Sequence, residues 1–232
     1  MHMTRRTFLG YAAGAVTTGL HGLPGRRVDV RRPVVLLHLS QHTCESVAGY
    51  RGTLANSGMR FLHAEPSSVP RCAVLIVPAA LRIGPAIRAI ETCLSDGATV
   101  ILESGACFAA EPAFRAHRAE LRDCLQVQVD APVRLWTAGS GRQRIPYVDY
   151  SWPHSAKIRD FSAVLPLARQ PGEIIARVDG LPVCLKRQMG RGTLIFLGSP
   201  LGPALWAGDA EARRWLSLAL GLHSARLPLL HE

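Results

Sequence analysis

The sequence has no CxxC pair, no apolar run long enough for a comfortable bilayer crossing, no internal repeat and no low-complexity stretch, and only 6% of its residues are aromatic. Each absence removes a class of protein. The six cysteines, at 44, 72, 93, 107, 124 and 184, lack paired spacing and a small-domain framework, which argues against zinc-finger chemistry. The basic residues form no stripe with interleaved aromatics, so nucleic acid is not an expected partner despite a net charge of +10. Half of that charge sits at the N-terminus. Residues 1–32 carry six arginines against Asp29, a net +5, and leave 21 basic and 16 acidic residues beyond them, again +5. No metal-ligand spacing stands out and no cofactor is expected.

What is present begins with Thr4-Arg5-Arg6-Thr7-Phe8-Leu9, which resembles the bacterial twin-arginine export motif. Behind it lies a mildly apolar stretch, Phe8 to Leu20, rich in Ala, Gly and Thr. A bilayer-spanning helix needs about 20 predominantly apolar residues, and this stretch falls short. A basic start, a short apolar region and small residues mark a removable signal. The expectation is a signal and linker over residues 1–32, a domain over 33–222 and a tail over 223–232. The chain is then periplasmic, with the twin-arginine translocase as its partner during export. The alternative is a cytoplasmic protein with a disordered basic N-terminus. No clear Ala-x-Ala site lies near His21, which leaves an uncleaved membrane tether open. Export also places the cysteines in an oxidising compartment.

Within the domain, Pro33-Val-Val-Leu-Leu-His-Leu39 is a nearly continuous apolar run, the pattern of a strand buried on both faces of a parallel sheet. His38 is expected to point into the core because it falls inside that run. A helix is predicted over 43–57, ended by Asn56-Ser57-Gly58, and strands over 59–63 and 72–77. Ile83, Ile87, Ile90 and Leu94 recur at helical spacing over 81–95, and Asp96-Gly97 closes that helix. A fourth strand at 98–103 and a helix at 111–125 follow. Strand and helix alternating with short connections predict an α/β fold, a doubly wound and mostly parallel sheet of flavodoxin-like type. Residues 126–136 read as one or two strands, and residues 138–172 show no clean period. Two runs, 173–178 and 181–187, flank Asp179-Gly180 and predict a hairpin. A last strand is expected at 193–198 and a closing helix at 207–220.

Two stretches resemble the class I glutamine amidotransferase-like domains, over roughly residues 33 to 220. One is the fourth strand running into Glu103-Ser-Gly-Ala-Cys107-Phe-Ala109. In that superfamily a Gly-x-Cys-x-Gly turn follows this strand and presents the nucleophile. The other is the segment from Val178 to Gly202, a hairpin, a Gly-Arg-Gly turn and an apolar strand ending in glycine, as in divergent sugar-hydrolase-associated members. The resemblance implies the α/β fold and Cys107 as nucleophile. A strand-to-helix turn holds such a thiol near a helix N-terminus, where the dipole and free N–H groups favour thiolate and can cradle an oxyanion. Two departures stand beside it. Ala109 replaces the second glycine. Gly198-Ser-Pro-Leu-Gly202 stands where glutamine-hydrolysing members carry His-Pro-Glu.

A thiol nucleophile needs a base. The candidates are His154, in Tyr150-Ser-Trp-Pro-His154, and His42, just past the first strand, with Glu103 as a supporting acid or an arginine-paired strand-end carboxylate. His42 and Cys44 lie at the carboxyl end of the first strand, where open sheets bind ligands. Cys44 and Cys107 can be read as a disulfide, a metal pair or a thiol with its resolving partner. Tyr150 and Trp152 are candidates for a pocket wall, or for a lid packed on the sheet. Ser199 and Asp209 are further ligand candidates, although Asp209 also suits the first turn of the closing helix. Two function classes follow: a degenerate, non-catalytic domain binding an unknown small molecule or envelope protein, and a cysteine-dependent hydrolase built on Cys107.

Overall fold

A computed structural model describes residues 32–39, 44–135, 146–160 and 163–221. The expected export signal, His42 and the expected tail lie outside the described residues. The first half of the domain alternates as its sequence pattern requires: β1 (Val34–Leu37), α1 (Cys44–Asn56), β2 (Phe61–Ala64), β3 (Val74–Ala80), α2 (Ile87–Ser95), β4 (Thr99–Ser104) and α3 (Glu111–Leu125). The second half adds β5 (Val133–Arg134), β6 (Tyr147–Tyr150), β7 (Ala156–Arg159), β8 (Ala163–Val164), β9 (Glu173–Val178), β10 (Leu181–Met189), β11 (Gly192–Leu197), α4 (Gly202–Trp206) and α5 (Ala210–Ala219).

Nine strands form one sheet in the order β2-β1-β3-β4-β11-β10-β9-β6-β7, and β5 pairs with β8 in a small second sheet. The pairings from β2 through β11 are parallel. Those from β11 to β7 are antiparallel. The chain is therefore a mixed α/β protein with a large sheet. The antiparallel part exceeds the expected hairpin, because β6 and β7 extend it. These two strands come from the segment that showed no clean period. Their burial does alternate, with Val148, Tyr150, Ala156 and Ile158 inward, but each is only four residues long, too short for period two to stand out.

Period two decides which layer each strand residue joins. Val34, Leu36, Val74, Ile76, Ile101 and Ile195 pack with Tyr50 and Leu54 of α1, Leu205 of α4 and Trp215 of α5. Their neighbours Val35, Leu37, Leu75, Val77, Val100 and Leu102 pack with Ile90 and Leu94 of α2 and Phe114 and Leu121 of α3. Helices thus cover both faces of the sheet, which is why its central strands read as unbroken apolar runs.

Local chemistry sets the element ends. Pro85 starts a 3-10 turn at Gly84–Ala86, so α2 begins later than the isoleucine spacing suggested. Gln126 closes α3 in the left-handed region at φ 53, and the Arg187 guanidinium donates to the carbonyls of Leu125 and Gln126. Asp179 and Gly180 both take positive φ in the β9–β10 turn, as a two-residue Asp-Gly hairpin requires. The closing helix expected at 207–220 is α5, and the short α4 precedes it. Gly208, at φ +82, separates the two, and the Asp209 carboxylate caps α5 by accepting from the Glu211 and Ala212 N–H groups at 2.9 and 3.1 Å. Among the described residues no helix is long and apolar enough to cross a membrane.

Candidate functional site

The carboxyl ends of β1, β3, β4 and β11 meet at one edge of the sheet, and Glu103 sits at the centre of it. On β4 it follows Ile101 by two residues, so it shares the face covered by α1 and α4. The side chain is fully buried. One carboxylate oxygen accepts from the Tyr50 hydroxyl at 2.6 Å and from the backbone N–H groups of Leu201 and Gly202 at 2.7 Å each. The other accepts from the Ser46 hydroxyl and, at 3.0 Å, from the Ala79 N–H. Burial pushes the Glu103 carboxyl up, and the donors from Ser46, Tyr50, Gly202 and Ala79 oppose that push. Those contacts tie α1, β3 and the start of α4 to β4.

Ser104, the next residue, faces the opposite layer, where its hydroxyl lies 2.6 Å from Nε2 of the fully buried His117 on α3. The Phe108 ring packs 5.2 Å from the imidazole. Nδ1 has no hydrogen-bond partner among the described residues. Desolvation pushes His117 down from 6.5 to about 4. The unfolded chain therefore binds this proton more readily than the folded one. Its contribution to stability is complete above pH 6.5 and is lost as the pH falls through about 4. A His117→Gln variant keeps a partner for Ser104 without the titration. In urea unfolding, wild type is expected to lose roughly 3 kcal/mol more than this variant over that interval. Equal losses in the two proteins would refute the assignment.

Cys107 is exposed, beyond the end of β4, and its thiol makes no hydrogen bond among the described residues. His154 lies in the β6–β7 connection, where its Nε2 is 3.4 Å from the Glu211 carboxylate of α5. Among the described residues none of Cys107, His154 and Glu103 hydrogen-bonds another. Cys44 is the first residue of α1.

The aromatic segment is core rather than pocket wall. Tyr150 is buried with its ring 5.1 Å from that of Trp215, and the Trp152 carbonyl accepts from Trp215 Nε1 at 2.6 Å. The Lys186 ammonium stands 4.7 Å from the centre of the Trp152 ring. This scarce aromatic chemistry braces β6 onto α5. Ser199 is also buried, and its hydroxyl donates to the buried Asp160.

His38 departs from the expectation of a core residue. β1 ends at Leu37, and His38 stands exposed past that end. Together with Arg51, His63, Glu65, Ser68 and Val47 it lines a cavity of about 660 Å³ beside the carboxyl ends of β1 and β2. Of this wall, the sequence pattern singled out only His38, and as a core residue. Among the described residues no group of three or more potential ligands could hold a metal ion. The buried hydroxyls that engage Glu103 and His117 were not foreseen either. Ser46 and Tyr50, at i and i+4 on α1, were the available signal for the first of them.

An open α/β sheet with helices on both faces is a widely shared frame, and the comparisons with known proteins reflect it. No protein-family model and no curated protein sequence matches the chain. Solved structures match in fold. A β-galactosidase from Bacillus circulans sp. alkalophilus aligns over 79% of this chain and 31% of its own, with a TM-score of 0.57 and 13% identity. PurLQS from Thermotoga maritima aligns over 83% of this chain and 100% of its own, with a TM-score of 0.54 and 11% identity. A cytoplasmic protein from Salmonella typhimurium LT2 aligns over 82% and 96%, with a TM-score of 0.55 and 11% identity. The chain spans about a third of the length of the glycosidases it matches. At these identities the likeness is one of fold.

Proposed function

We propose that this chain is an exported, flavodoxin-like domain of glutamine amidotransferase-like descent that has lost catalysis and binds a small anionic molecule in the cell envelope. The observation that carries the loss of catalysis is the engagement of Glu103. A carboxylate sealed by five donors inside the core cannot serve as acid or base for a thiol outside it. His154 is held by Glu211 instead of by Cys107. The cavity supplies the ligand site: its volume lies in the range usual for small-molecule pockets, roughly 300–1,000 Å³, and Arg51, His38 and His63 can meet a carboxylate or phosphate while Glu65 and Ser68 take hydroxyls.

The test uses the full chain with inorganic phosphate, citrate and glucuronate as probes. At least one is expected to raise Tm in wild type and to lose that effect in Arg51→Ala. Equal shifts in both proteins, or none in either, would remove the ligand reading.

The cysteine-hydrolase reading keeps one observation in its favour, the exposed Cys107 thiol after Gly105. Iodoacetamide separates the two. Under the non-catalytic reading Cys107 labels slowly at mildly acidic pH. Rapid labelling of Cys107 at mildly acidic pH would overturn that reading and restore the nucleophile.

A further inference from the structure

The sequence directs attention to Cys44 and Cys107 as a pair, but the fold pairs two other cysteines. Cys72 immediately precedes Ala73 and β3, and Cys93 lies on the sheet-facing side of α2. Their sulfurs are 3.6 Å apart. Both are almost fully buried, at 2% and 4% exposure, in the layer that holds Ile90, Leu94 and Ala98. The same end of the sheet is fastened by charge, since Asp96 at the end of α2 binds Arg71 at 3.2 Å and Arg191 at 3.8 Å. Neither cysteine belongs to the carboxyl-edge site.

We propose that Cys72 and Cys93 are a built dithiol that closes to an intramolecular disulfide when the chain meets a disulfide oxidant. The hydrogen bond from Cys72 lowers the pKa of the Cys93 thiol and holds that of Cys72 up, so Cys93 ionises first. The Cys93 thiolate attacks one sulfur of an oxidant disulfide such as oxidised glutathione. A mixed disulfide forms and one glutathione thiolate leaves. Cys72 then gives up its proton, attacks the Cys93 sulfur and expels the second glutathione. Two protein thiols are oxidised and one glutathione disulfide is reduced to two thiols. Because both sulfurs are buried, exchange proceeds through local opening of the segment before β3. The closed loop runs from 72 to 93 and ties the start of β3 to α2, an arrangement that restricts the unfolded chain more than the folded one.

The pairing stands on its own geometry and does not depend on the ligand reading. The full chain is reduced with dithiothreitol, freed of reductant and treated with oxidised glutathione under native conditions. It is then denatured, alkylated and mapped without reduction. The expected product is a peptide pair joined through Cys72 and Cys93, lighter by two hydrogens, with Tm raised by roughly 5–10 °C. Dithiothreitol should reverse both changes. Cys72→Ala and Cys93→Ala should each abolish the joined peptide and the Tm rise. Recovery of both cysteines as free thiols, a glutathione adduct on either without closure, or linkage only in denatured protein would overturn the proposal. A joined peptide that leaves Tm unchanged or lower would overturn it as a stabilising device.

Discussion

Replacing Glu103 by alanine is expected to lower the unfolding free energy by about 4 kcal/mol or more, enough to unfold much of a typical domain's margin. Alanine leaves the hydroxyls of Ser46 and Tyr50 and the N–H groups of Leu201 and Gly202 buried without their acceptor, leaves the Ala79 N–H only the Ser46 oxygen at 3.3 Å, and adds a cavity. Glu103→Gln is the informative companion. Its amide oxygen can replace the atom that receives Tyr50, Leu201 and Gly202. Its NH2 must then face the Ala79 N–H, donor against donor, while the Ser46 hydroxyl can turn to accept. A loss of about 2 kcal/mol is expected for that variant. Chemical denaturation of the two proteins beside wild type measures both numbers. If Glu103→Gln were as stable as wild type, the carboxylate would not be the acceptor described here.

The second large effect lies where α1 crosses α4. A Cβ added at Gly49 would stand 2.0 Å from the Gly202 carbonyl oxygen and 2.8 Å from the Trp206 nitrogen. Backbone cannot step aside as a flexible side chain can. Gly49→Ala must therefore push α4 away, and with it the Gly202 N–H that Glu103 holds. A loss of about 3 kcal/mol is expected, at the upper end of overpacking costs. Gly52→Ala on the same helix is the control, since nothing lies within 4 Å of a Cβ there. It should be neutral or mildly stabilising, because an unfolded chain with alanine there has less freedom to lose on folding. Similar losses in both variants would refute the close crossing as the cause.

Both residues show where sequence reading stops. The parallel half of the sheet was legible because continuous apolar runs such as 72–77 and isoleucines at helical spacing answer to local rules. The role of Glu103 was not. A glutamate near a strand end reads equally as a crevice acid or a salt-bridge partner. What decides between them is the identity of five donors, most of them backbone groups from segments up to 99 positions away. His154 was chosen for its place in an aromatic loop, and it turned out to face Glu211 because Trp152 and Trp215 set the register of that loop on α5. Cys72 and Cys93 were overlooked for a similar reason. They are 21 positions apart, which matches no motif, and only the packing of α2 under β3 brings the sulfurs together. Gly49 gave only a general sign, since a glycine inside a helix is compatible with a close neighbour without naming it.

The order of the strands has a consequence for how the chain must assemble. β4 lies between β3 and β11, so the middle of the sheet is completed by the last of the described strands, nearly ninety positions after β4. Until β11 docks, Leu201 and Gly202 cannot deliver their N–H groups to Glu103, and the carboxylate has no reason to leave water. The N-terminal half therefore lacks a stable resting point of its own. Every stage short of the complete sheet exposes an apolar flank on β4 and strands a charge beside it. Such a chain is expected to fold in one late, cooperative step governed by long-range contacts, and to remain dependent on β11 and the start of α4 until that step is taken.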